Sequence, residues 1–105
     1  MLEDYVVIDL EMTGLNAKTD AILEVGAVRV RDGRQTETYG AILKCGRELS
    51  ERVVELTGIT PEMAADGREP EEAMQEFFTF LGDDVLVGQN VIFDYSSVSY
   101  THLTL

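Results

Sequence analysis

At 105 residues with 45% apolar content the chain makes one domain at most, and eight basic against twenty acidic residues leave a formal charge of −12. That balance excludes holding nucleic acid by Lys and Arg spread along the phosphates, so a nucleic-acid partner has to be gripped at one place. The single Cys45 cannot staple the fold and is read as a small core residue of a reducing compartment. No apolar run approaches the ~18 residues of a membrane span, and "MLEDYVV" lacks a basic region ahead of an apolar one, so a soluble cytoplasmic protein without membrane contact is expected.

In chain order, Tyr5 to Leu10 is rich in β-branched residues and too short for a helix, which predicts a central strand covered on both faces. "AILEVGAVRVRDGRQTETYGAILKC" follows. It alternates through Val28 and Val30, turns at Asp32-Gly33, a pair suited to positive φ, and alternates again through Tyr39, Ala41 and Leu43: a hairpin. Ser50 caps a short helix through Leu56 that Gly58 ends, and Thr60-Pro61 opens a further helical turn. Pro70 begins a firmer helix with Ala73, Met74, Phe77, Phe78 and Leu81 on one stripe and Gly82 placed to stop it. "VLVG", residues 85 to 88, is a second short apolar strand, and "QNVIFDYSS" leads out of it towards another helix. The predicted fold is α/β with a mixed sheet, a three-stranded meander followed by helix, strand and helix.

Asp9 and Glu11 are i and i+2 on the first strand, so they project to the same face with both carboxylates in reach of one object. Two anions held that close repel unless something positive lies between them. A divalent cation such as Mg2+ meets that need with hard oxygen ligands; the bland alternative is a solvated strand end. Asp94, just beyond the other predicted apolar strand, adds a third acid where ligands of open α/β sheets gather. If the two strands are neighbours, the three converge, and such a cluster suits two metal ions ~3.5–4 Å apart, the arrangement that activates water and stabilises the leaving oxygen in phosphodiester cleavage. Metal would then supply the positive charge that an acidic chain lacks.

"VVIDLEMTGLNAKTDAILEVGAVRV" resembles the first motif of the DEDD family of 3′-to-5′ exonucleases, "ELTGIT" its substrate-wedge segment, and "LVGQNVIFDYS" its second motif, in the right order from about Leu2 to Ser97. The resemblance implies a ribonuclease H-like fold and two divalent cations, Mg2+ or Mn2+. It implies that Asp9 bridges both ions, that Glu11 binds the one that activates water, and that Asp94 holds the other. Met12, Thr13 and Gly14 would lie against the terminal nucleotide, with backbone amides and the Thr13 hydroxyl near its 3′ end. Leu56 and Thr57 would pack beside the last base, and Asn90 and Phe93 would line the same pocket. Core packing for Leu56 and Phe93, and a helix terminus for Thr57 and Gly58, are the alternatives for these positions.

Gln89 stands where the family often has His, keeping hydrogen bonding without a titratable group. The family's third motif, a His followed five residues later by Asp, normally lies several dozen residues beyond the second, and His102 does not fit it. The expectation is therefore the N-terminal part of an exonuclease domain over residues 1–97, incomplete at its C-terminus, with most of the metal cradle and little activity alone. Residues 98–105, "VSYTHLTL", resemble a translated sequencing adapter and are expected to be a non-native tail. The implied substrate is the 3′ end of single-stranded DNA, with a polymerase or helicase domain as companion. "DLEMTG" also resembles oligoribonucleases, which trim short RNA. A non-enzymatic binding module on the same fold is the rival of another class. No G-x-x-x-x-G-K-[ST] segment is present to support a phosphate-loop enzyme.

Overall fold

The computed structural model of the chain describes residues 3–16 and 18–88. The expectations placed on Gln89, Asn90, Phe93, Asp94, the helix after Asp94, and His102 lie outside the described residues.

Strand β1 (Tyr5–Met12) pairs antiparallel with β2 (Ile22–Arg31), which pairs antiparallel with β3 (Arg34–Ile42). The β2–β3 hairpin closes at Asp32 and Gly33 with φ of 53° and 73°, the doubly positive pattern whose twist matches that of the flanking strands. Helix α1 (Glu51–Thr57) starts at Ser50, whose hydroxyl accepts from the Val53 amide at 3.2 Å, and ends at Gly58 in the left-handed region. Helix α2 (Pro61–Ala65) starts at Thr60 with the proline at its first position, where a missing N–H is harmless. Helix α3 (Pro70–Leu81) is followed by β4 (Leu86–Val87), only two residues long.

The sheet order is β3-β2-β1-β4, so β1 has a neighbour on each side and β4 lies parallel to it, Val6 opposite Leu86 and Val7 opposite Val87. This is the mixed α/β arrangement that the alternation of strands and helices predicts. Among the described residues, the expectation that β1 is covered on both faces does not hold. Val6 and Ile8 are buried, whereas Val7 is 37% exposed and Asp9 is open to solvent. Among these residues the covering element is α3, on one face: Ala73, Met74, Phe77 and Leu81 pack there against Val6, Ile8, Val25, Ala27, Ala41 and Leu43. Phe78, on the predicted stripe, is only partly buried at the margin of this core. Val28 and Val30 pair with Val7 and Tyr5 and belong with them to the opposite face.

A second, smaller core joins α1 and α2 to the sheet. The β1–β2 register shifts between Glu11 and Met12, so that Met12 pairs with Ile22 and Leu23 is the extra residue. Leu23 is fully buried with Ile59 and Ala64, and Cys45 packs at the edge of this cluster as a free thiol. The other end of the sheet is held by charge. Asp84 accepts from Arg31 Nη2 at 2.7 Å and from Arg29 Nε at 3.3 Å, while the Arg29 guanidinium lies 4.2 Å over the Phe80 ring. These contacts fasten the end of α3 to β2 just before the chain turns into β4.

Candidate functional site

The site starts at the C-terminal end of β1. Asp9 and Glu11 share the face that α3 leaves open, as their spacing requires, and Glu24 stands directly opposite Glu11 on β2. Burial, then the Asp9 and Glu24 carboxylates, push the Glu11 carboxyl above its ordinary value. Among the described residues no Lys or Arg pairs with Asp9, Glu11 or Glu24. Each of the five ion pairs among the described residues lies elsewhere. Glu24 carries no sequence signal of its own, because its place across from Glu11 depends on the register of β1 against β2.

The turn after β1 is built by Asp20. Thr13 Oγ1 donates to Asp20 Oδ1 at 3.0 Å and accepts from the Ala21 amide at 2.9 Å, and the Thr13 amide donates to the Ala21 carbonyl at 2.9 Å. The other carboxylate oxygen of Asp20 accepts from the Asn16 amide at 2.9 Å, and the Asn16 side chain accepts from the Lys18 and Thr19 amides. Gly14 is the point of closest approach: a Cβ there would lie 2.5 Å from Asp20 Oδ2. The Thr13 hydroxyl proton is thus committed to Asp20. A contact from Thr13 to a nucleotide falls to the remaining lone pair of its oxygen or requires a change of partner.

Leu56 is 72% exposed on a helix that has no buried residue, which rules out the core alternative for it. Thr57 is engaged at the helix end, its hydroxyl donating to the Val53 carbonyl at 2.8 Å and accepting from the Ile59 amide at 3.1 Å. The wedge-like segment therefore pairs one free apolar side chain with a tightly bonded turn. Met12 is half-buried beside the main core. Asp94, Asn90 and Phe93 lie outside the described residues. What the structure does show is the premise on which their convergence depended: β4 is the parallel neighbour of β1, and the chain at Val87 runs towards the end where Asp9 and Glu11 sit.

Among the described residues no group of three metal-binding side chains is assembled. The residues present nevertheless fit a divalent cation. Asp9 and Glu11 offer hard carboxylate oxygens on one accessible face, without a cationic partner among the described residues, and burial together with the Asp9 carboxylate disfavours a bare charge on Glu11. No helix among the described residues is long and apolar enough to cross a membrane.

Comparison with known proteins identifies the family and the fold. The exonuclease family model (RNase_T) matches residues 6–104. The PolC-type DNA polymerase III of Thermotoga petrophila is 44% identical over 91 residues, 87% of this chain and 7% of that protein. That of Bacillus subtilis is 40% identical over 103 residues, 96% of this chain and again 7% of that protein. The chain thus spans about 7% of the length of these curated relatives. Among solved structures, exonuclease I in its apo form superposes with a TM-score of 0.83 at 18% identity, covering 98% of this chain and 25% of that one. E. coli exonuclease I in complex with an oligonucleotide gives 0.82 at 18% identity, over 97% and 24% of the two chains. These likenesses establish the fold as ribonuclease H-like. Exonucleases of this kind generally use divalent metal ions. The acid pair at the strand end, the mixed sheet around it and the match along nearly the whole sequence lead to one assignment: the chain belongs to the exonuclease family, of the DEDD type.

Proposed function

We propose that this segment is the exonuclease part of a replicative polymerase of the PolC kind, cytoplasmic, removing nucleotides from the 3′ end of single-stranded DNA. The observation that carries this is the Asp9–Glu11 pair on the open face of β1, without a cationic partner among the described residues and with β4 running parallel beside it. The PolC-type relatives favour DNA over short RNA as substrate.

In this reading Asp9, Glu11 and Asp94 hold two divalent cations, Mg2+ or Mn2+. Held there, such cations would supply activation of water and stabilisation of the leaving oxygen of the phosphodiester. The chain's own residues do the rest. By placing the cations, the carboxylates of Asp9 and Glu11 would set where the scissile phosphate sits, the one point at which the acidic surface would not repel the polyanion. Met12 and Gly14 present backbone to the terminal nucleotide. Leu56, held out from α1, packs against the last base with Asn90 and Phe93, and Thr57 keeps that helix end in place. This division of labour suits proofreading, where a frayed 3′ end must be recognised without reading its sequence.

The test is binding and cleavage of a 5′-labelled single-stranded DNA oligonucleotide. The expected result is 3′-end binding that requires Mg2+ or Mn2+ and is abolished by Asp9→Ala, with shortening from the 3′ end when the family's third motif is supplied in the same polypeptide. Binding that needs no metal and survives both Asp9→Ala and Glu11→Ala would establish a non-enzymatic module instead. Faster breakdown of an RNA dinucleotide than of the DNA oligomer would reverse the choice of substrate.

A further inference from the structure

We propose that Asp20 is a positioning residue for the acid pair, acting through the Thr13 hydroxyl on the end of β1; this rests on the metal-dependent nuclease reading above. The need for such a residue is written in the strand register. The β1–β2 ladder is regular up to Glu11 opposite Glu24 and shifts between Glu11 and Met12. A bulge leaves one residue unpaired and lets the strand bend and twist locally, so the ladder is irregular beside the very residue whose carboxylate must be aimed. Pairing resumes with Met12 opposite Ile22, and at the next residue the Thr13 amide donates to the Ala21 carbonyl at 2.9 Å. The Thr13 hydroxyl accepts from the Ala21 amide at 2.9 Å and donates to Asp20 at 3.0 Å.

The choice of an aspartate follows from the count of donors. Thr13 Oγ1 and the Asn16 amide arrive on separate oxygens of one carboxylate. Asparagine supplies only one acceptor oxygen and turns an N–H towards the second donor. Gly14 completes the fit, since any side chain there meets the same carboxylate. Asp20 therefore fixes the direction in which β1 leaves the bulge, and with it the backbone of residues 11 to 14, its own carboxylate oxygens being engaged by Thr13 and Asn16. It is a support of the kind that orients ligands from one layer further out.

The experiment is a Mn2+ titration of the full chain followed by electron paramagnetic resonance, with thermal unfolding recorded for every variant. Asp20→Ala and Thr13→Val are each expected to weaken Mn2+ binding by roughly 10-fold or more, and Thr13→Ser, which keeps the hydroxyl, to restore it. Thr13→Val leaves every charge in place, so a loss there separates positioning from the electrostatic effect of removing an acid, and it carries the test should Asp20→Ala unfold. Asp84→Ala, at the other end of the sheet, is expected to lower thermal stability while keeping the Mn2+ affinity of the wild type. Wild-type affinity in Thr13→Val would overturn the proposal. So would an equal loss of affinity in Asp84→Ala, because the effect would then follow stability alone. Absence of Mn2+ binding in the wild-type chain is a different result, which removes the metal reading itself.

Discussion

Glu11 and Glu24 face each other directly across β1 and β2, with Asp9 two residues away on the same face as Glu11. Partial burial contributes most to raising the Glu11 pKa, with Asp9 next and Glu24 third. The folded chain at neutral pH therefore contains repulsion that the unfolded chain lacks. A cation bound to the native state alone stabilises it by ~2.7 kcal/mol at a hundred times its Kd, which in a domain near this size is a rise of roughly 10 °C or more in Tm. Melting curves in EDTA and in rising Mg2+ or Mn2+ should show this rise. The Asp9→Asn, Glu11→Gln double variant should melt higher than wild type in EDTA and lose the response. An equal rise in wild type and double variant would place cation binding elsewhere.

Acid stability follows from different groups. The Arg31 hydrogen bond is the main cause holding the Asp84 carboxyl below its ordinary value of 3.8, with Arg29 adding to it, and the Arg68 hydrogen bond does the same for Glu76 against 4.5, helped by Tyr39. Because both folded values are depressed, their contribution is complete above those ordinary values and is lost as pH falls through them towards the folded values. Glu11, raised, works the other way and gains from protonation. Tm should be nearly flat from neutral pH to about 5 and fall below that. Asp84→Asn should start from a lower plateau and show a shallower acid limb. At the basic extreme Tyr39, raised from 10.0 to about 12 chiefly by burial, predicts a second loss of stability between those values. A flat acid limb in the wild type would show that these pairs contribute nothing net, as many exposed ion pairs do.

The hairpin, the two capped short helices and the α3 stripe were legible because each rests on local chemistry. Asp32-Gly33 takes positive φ at both residues, Ser50 and Thr60 cap the turns they precede, and Phe77 falls on the buried side of a 3.6-residue period. The pair Asp9 and Glu11 was legible for the same reason, since i and i+2 on a strand share a face whatever the fold. What sequence order does not contain is register and coverage. Val7 and Ile8 look alike in a string of apolar residues, and only the placement of α3 on one face makes one half-exposed and the other 3% exposed. Glu24 became a neighbour of Glu11 only through pairing. Asp20 carries no local signal of its own, because its bonds to Thr13 and Asn16 exist only once the turn between β1 and β2 has closed.

Phe77 is fully buried at the centre of the larger core, in ring contact with Tyr39 at 6.1 Å and Phe78 at 6.5 Å. Truncation to alanine removes its transfer free energy and leaves a cavity, together about 3–5 kcal/mol. A small domain has only about 5–15 kcal/mol in all. Phe77→Ala is therefore expected to shift the urea midpoint sharply downward, or to leave the chain unfolded at room temperature, whereas Phe77→Leu should retain most of the midpoint. Urea titration followed by circular dichroism measures both. A change within about 0.5 kcal/mol, typical of surface substitutions, would show that α3 does not anchor the sheet.

Leu56 gives the opposite contrast, and it is the sharpest test of the substrate side of the site. Its side chain is 72% exposed on α1, so removing it from the folded chain forfeits almost no packing. Leu56→Ala should change stability by no more than about 0.5 kcal/mol. If the side chain covers the terminal base when DNA is bound, the same change removes roughly 1–2 kcal/mol of apolar contact from the complex, a five- to thirtyfold weakening. Fluorescence anisotropy with a 5′-labelled oligonucleotide, paired with melting curves of the free protein, reads the two effects separately. The loss should vanish when the oligonucleotide's last nucleotide lacks a base, because Leu56 then has nothing to cover. A variant that melts lower but binds as tightly would make Leu56 a packing residue and leave the terminal base without its wedge.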